Sequence, residues 1–222
     1  MAKNANQLLL DLPLRPALGR EDFFVTTANH QAVNAIDKWP DWPNPVLVLS
    51  GPSGSGKSHL GQVWRMATGA AKASPQQLNI DDLPTLMEKG ALLVEDLPGP
   101  NLDETALFHL INLVREHKGF LLLTSKQPAA SWKISLPDLS SRLAVAGSAR
   151  LNEPDDDLLR AIIIKQFSDR QLSVTEDTVS FMLARMERSA QAACALVDKI
   201  DTLAMQQKAN ITKRFVSGIL NA

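Results

Sequence analysis

Three short apolar runs, Val46-Leu-Val-Leu49, Ala91-Leu-Leu-Val94 and Phe120-Leu-Leu-Leu123, stand out against a chain of otherwise mixed pattern. Continuous runs of this length predict strands buried on both faces, as in a parallel sheet covered by helices. Between the last two, residues 105–117 place Leu107, Leu110, Ile111 and Val114 at the spacing of one helical face. Further helices are predicted over 29–38 and 59–66, the first ending at the proline and tryptophan cluster of 39–45. Strands alternating with helices predict an α/β layered fold with a parallel sheet.

From Glu153 the pattern changes. Residues 155–168, 176–186, 189–207 and 212–220 all carry helical periodicity, and no strand-like run remains. The predicted organisation is therefore a tail of 1–19, an α/β base of 20–152 and a small all-α unit of 153–222. The tail, with two prolines and a glycine between Asp11 and Gly19, reads as an extended lead-in.

Composition narrows the function classes. With 222 residues, 45% of them hydrophobic and 21% charged, the chain has an ordinary globular make-up. Lys+Arg of 23 against Asp+Glu of 24 argues against binding nucleic acid through bulk positive charge. One cysteine, Cys194, excludes an internal disulfide and a cysteine-based metal site. His30, His59, His109 and His117 include no H-x-x-x-H pair. No apolar run approaches the roughly 20 residues needed to span a bilayer, and the start of the chain lacks the apolar core of a secretory signal. A cytoplasmic protein is expected.

The strongest chemical signal is Gly51-Pro52-Ser53-Gly54-Ser55-Gly56-Lys57-Ser58, a complete G-x-x-x-x-G-K-S between a predicted strand and a predicted helix opening at His59. Glycines let successive N–H groups curl toward phosphate oxygens, and the helix N-terminus adds a favourable dipole. The expected nucleotide is ATP or ADP, with Lys57 the partner of the β-phosphate and, in ATP, of the γ-phosphate, and Ser58 a ligand of Mg²⁺. The second apolar run ends in Glu95-Asp96, where phosphate-loop proteins place one carboxylate near the metal and another near the attacking water. Glu95 is thus a candidate metal ligand and Asp96 a candidate catalytic carboxylate beside the attacking water. The third run ends in Thr124-Ser125, at the sheet edge where open α/β folds bind ligands.

These elements in this order, followed by Ser140-Ser-Arg142-Leu143 and a helical bundle, resemble the AAA+ ATPases. More narrowly they are similar to the DnaA-related Hda family of regulators that inactivate the replication initiator DnaA. The segments carrying the narrower resemblance are Asp22-Phe-Phe-Val-Thr-Thr-Ala-Asn29, Leu121-Leu-Leu-Thr-Ser125 with Pro128, Leu136-Pro-Asp-Leu-Ser-Ser-Arg142-Leu143 and the closing residues 211–220. The resemblance implies an α/β nucleotide-binding base with a helical lid, Thr124 as a nucleotide-contacting residue, and Arg142 as an arginine finger. It also implies that Gln7, Leu8, Leu10 and Leu12 form a peptide docking on the sliding clamp, the beta subunit of DNA polymerase III. DnaA and the clamp are then the implied partners, with association to the replisome and nucleoid, no sequence-specific DNA binding, and nucleotide-dependent self-association left open.

The chain also departs from the family. It ends at Ala222 with no segment resembling the initiator's origin-reading domain, and 57–95 leaves little room for its single-strand-gripping helices. Glu95-Asp96 replaces a pair of aspartates, Lys126 replaces an acid, and Gln191 stands where the family has a lid arginine that contacts nucleotide. A neutral amide cannot do a guanidinium's work on phosphate, although Arg188 lies close by. Nucleotide binding is therefore expected, with weak hydrolysis by the chain itself, and inactivation of DnaA is the expected function. The competing expectations are an autonomous ATPase of helicase-loader type and a nucleotide-gated clamp adaptor with no effect on DnaA. Trp39, Trp42, Trp64 and Trp132 are not interleaved with basic residues and read as packing. Cys194 reads as a small core residue and Asp155-Asp156-Asp157 as a helix cap.

Overall fold

The computed structural model describes residues 24–207 and 209–220. Its sheet has five parallel strands, β1 (Val46–Ser50), β2 (Ala71–Ala73), β3 (Ala91–Leu97), β4 (Phe120–Ser125) and β5 (Gly147–Arg150), in the order β2-β3-β4-β1-β5. The three apolar runs are β1, β3 and β4, the inner strands. The two edge strands were not foreseen, because Ala71-Lys-Ala73 and Gly147-Ser-Ala-Arg150 are short and carry polar, exposed residues.

Successive strand residues feed opposite cores, as a period of two requires. On one face Leu47, Leu49, Leu93 and Leu122 pack against α1 (His30–Asp37) and α2 (Lys57–Thr68) through Ile36, Leu60 and Trp64. On the other, Val46, Val48, Leu92, Val94, Leu121 and Leu123 meet α4 (Glu104–Glu116) and α5 (Pro137–Ala144). A one-turn helix, α3 (Leu83–Leu86), closes that side. The tryptophans pack as expected: Trp42 stacks on Trp64 at 5.6 Å between centroids, and Trp39 meets Phe120 edge-on at 5.8 Å.

After β5 only helices follow among the described residues: α6 (Asp156–Asp169), α7 (Glu176–Leu183), α8 (Ala190–Gln207) and α9 (Lys213–Leu220). They share a separate core built on Leu159, Ile163, Phe167, Val179, Met182, Val197, Ile200 and Val216. Asp155 caps α6, its carboxylate accepting from Leu158 N at 2.8 Å. Phe167 is fully buried there. Phe167→Ala is expected to cost about 3–5 kcal/mol through lost burial and the cavity left behind, measured as a lowered denaturation midpoint. No helix is long and apolar enough to cross a membrane among the described residues.

Candidate functional site

Residues 51–56 form the loop between β1 and α2, whose first residue is Lys57. Gly54 and Gly56 hold φ of 74° and 95°, where a side chain is costly. The Lys57 ammonium is buried and donates to the Pro52 carbonyl of its own loop at 2.7 Å. Burial lowers its pKa from the ordinary lysine value, opposed by the charge of Asp96 and reinforced by that of Lys126. Ser55 Oγ is buried inside the loop with no hydrogen-bond partner among the described residues. A buried orphan hydroxyl beside a desolvated ammonium fits a loop built to receive anionic oxygens. Ser58 and His59 are exposed at the start of α2.

The paired acids diverge. Pairing between β3 and β4 is irregular from Val94 to Leu97, and within that stretch Asp96 takes a φ of 62°. Its N–H donates to Thr124 Oγ1 at 3.1 Å, so the buried threonine at the end of β4 holds the acidic corner in place. Asp96 is exposed, and its charge reaches Lys57. Glu95 instead forms an ion pair with Lys72 of β2. Ser125 turns to the opposite face, where its hydroxyl accepts from Trp132 Nε1 at 3.0 Å. Its carbonyl accepts from Gly51 N at 3.1 Å and ties the loop to β4. Asp96, Ser125 and the exposed Lys126 line an open cleft of about 520 Å³.

The helical unit touches this site directly. Ser189 caps α8 by accepting from Ala192 N at 3.0 Å. Ala190 N donates to the Gly54 carbonyl at 3.3 Å. A Cβ on Gly54 would stand 2.4 Å from Ser189 Cβ, so only glycine admits this contact. Gln191 follows, exposed at the helix start. Arg188 is paired with Asp156 at 2.8 Å, within the helical unit. A second tether runs from Thr27 Oγ1 to Asp155 Oδ2 at 3.1 Å.

Arg142 occupies the last turn of α5, half-buried, with no ion pair or hydrogen bond among the described residues. The other end of α5 is anchored by Glu104 of α4, whose carboxylate accepts from Ser135 N at 2.9 Å and Leu136 N at 2.7 Å. A carboxylate at that end also complements the helix dipole. Gln7, Leu8, Leu10 and Leu12 lie outside the described residues. As donors toward a magnesium ion, the Ser58 hydroxyl and the Asp96 carboxylate have no hydrogen bond or ion pair among the described residues, whereas Glu95 is held by Lys72. No group of three histidine, cysteine or acidic side chains converges among the described residues. The sequence marks Ser189 as a helix cap, which it is, but not its seat on Gly54, and it gives no sign of Lys72 or Glu104, neither of which stands in a motif.

A family model described as "Hda, lid domain" matches residues 155–220. An uncharacterized protein of Haemophilus influenzae is 26% identical over 193 residues, covering 82% of this chain and 84% of that protein. Among solved structures, domain III of the Thermotoga maritima replication initiation protein DnaA superposes with a TM-score of 0.74 at 19% identity, over 92% of this chain and 95% of that one. AMPPCP-bound DnaA of Aquifex aeolicus gives 0.65 at 18% identity, over 85% and 66%. The RuvB Holliday junction branch migration motor of Thermotoga maritima gives 0.64 at 17%, over 79% and 60%. The chain therefore has the fold of DnaA domain III, and its residues 155–220 match the Hda lid model.

Proposed function

We propose that this chain is a nucleotide-bound regulator that inactivates DnaA by supplying Arg142 to DnaA-bound ATP. The observation that carries this reading is an arginine with no partner of its own among the described residues, on a helix anchored by Glu104. Such a guanidinium is available to the charge developing on a neighbour's γ-phosphate. ADP or ATP bound over residues 51–58 joins base (20–152) to lid (153–222), with Lys57 on the phosphates and Thr124 steadying the acidic corner. Ser58 and Asp96 are the residues able to hold a magnesium ion, which would neutralise phosphate charge when present. Residues 7–12 dock on the sliding clamp and bring the chain to the replisome. Hydrolysis by the chain itself is weak, since Gln191 is neutral and Glu95 is engaged by Lys72.

The test mixes ATP-bound DnaA, clamp loaded on DNA and this protein, and follows ADP formation. No acceleration over DnaA and clamp alone would overturn the proposal, and steady ATP turnover without DnaA would favour an autonomous ATPase.

The nucleotide site makes a separate pH prediction. An anion against Lys57 opposes the desolvation that lowers its pKa, so the bound state holds its proton more tightly. Binding between the lowered value and the ordinary 10.5 is therefore expected to take up protons. Calorimetry in two buffers of different ionisation enthalpy measures that uptake.

A further inference from the structure

We propose that Lys72 is an internal counter-ion that takes the place of a divalent metal at Glu95, so that nucleotide binds this chain with little dependence on magnesium. The inference rests on residues 51–58 being a nucleotide site and adds the ionic requirement of that site. Glu95 extends β3 past Val94 and is only 12% exposed, so its carboxylate needs a cation to offset lost hydration. The edge strand supplies one. Lys72 is in register with Leu93, and Leu93 packs on the α2 face of the sheet, whereas Ala73 packs on the other. Lys72 therefore points from the strand next door to the face where Glu95 lies, and the two form an ion pair.

What remains for a metal is thin. Asp96 holds a left-handed backbone with its N–H bonded to Thr124, and its exposed carboxylate acts on Lys57. That leaves one carboxylate and the Ser58 hydroxyl, near the lower limit of the protein ligands that magnesium uses beside phosphates and water. A metal approaching Glu95 must displace an ammonium already in place and shed its own firmly held water. The cleft of about 320 Å³ lined by Lys72, Gln77, Glu95 and Asp96 is open to solvent, so the competition is between two cations for one carboxylate.

Isothermal titration of the full chain with ADP, in excess magnesium chloride and in EDTA, tests this. Wild type is expected to change affinity by less than about threefold between the two conditions. Lys72→Met leaves Glu95 free for the metal and is expected to raise that ratio to about tenfold or more, the scale of a lost competing charge. Lys72→Arg retains the cation and keeps the wild-type ratio, which separates charge from folding, and Glu95→Gln added to Lys72→Met abolishes the new dependence. A wild-type ratio of threefold or more, or a Lys72→Met ratio equal to wild type, overturns the inference. Absence of binding by wild type in both conditions is a different result, and it removes the nucleotide reading itself.

Discussion

Arg142→Ala is expected to reduce the stimulated hydrolysis of DnaA-bound ATP by about a thousandfold or more, the scale of an arginine finger's contribution to phosphoryl transfer. The expected loss is kinetic and confined to the partner's reaction. Arg142 makes no bond that its removal would break among the described residues, so the fold should lose no more than about 0.5 kcal/mol. Arg142→Lys is expected to rescue little, because an ammonium lacks the planar fork that grips two phosphate oxygens. Glu104→Ala supplies a graded companion. It frees the Ser135 and Leu136 N–H groups and loosens the start of α5, and a finger displaced by about 1 Å can lose up to a hundredfold. Undiminished stimulation by Arg142→Ala would remove the finger assignment while leaving the nucleotide site untouched.

The second large effect is expected at Gly54→Ala. Alanine at a φ of 74° costs about 1–2 kcal/mol, and the added Cβ meets Ser189 Cβ at 2.4 Å, an overlap costing about 1–3 kcal/mol more. The helical unit cannot keep its seat on the loop unless one of the two gives way, so weaker nucleotide binding should accompany the fall in stability. Ser189→Gly removes the opposing Cβ together with the α8 cap, at a cost of roughly 0.3 kcal/mol, since glycine is itself tolerated at a helix N-cap. Combined in one chain, the two substitutions should be less damaging than their sum by about 1–3 kcal/mol, because the overlap is gone. Denaturation midpoints of the four variants measure the difference. Strict additivity would mean that α8 does not rest on the loop in solution.

The strand–loop–helix around Lys57 was legible because its parts are contiguous: strand, glycines, lysine and helix follow one another within residues 46–68. The inner strands were legible because burial on both faces demands unbroken apolar runs. β2 and β5 were not, since an edge strand is specified mostly by backbone pairing to its neighbour, and pairing leaves little mark on residue type. Helix α5 is not marked in the sequence by an apolar stripe, its eight residues being half polar. The acidic corner shows the boundary most clearly. Glu95 and Asp96 look like one motif in the chain, yet the irregular end of β3 sends one to Lys72 and the other to solvent.

By itself, then, the order of residues determined the α/β base with helices behind it, the loop around Lys57, and Thr124 at a strand end, features that depend on local spacing and on which side chains avoid water, whereas Arg142 was singled out only by the family resemblance. Tertiary structure alone decided that Lys72 meets Glu95, that Ser189 sits on Gly54, and that Glu104 anchors the helix bearing Arg142. Each of these is a contact between elements distant in the chain, made by pairing register, close backbone approach or a helix end seeking an acceptor. No local pattern encodes such a contact, because its partner is chosen only when the sheet and helices assemble.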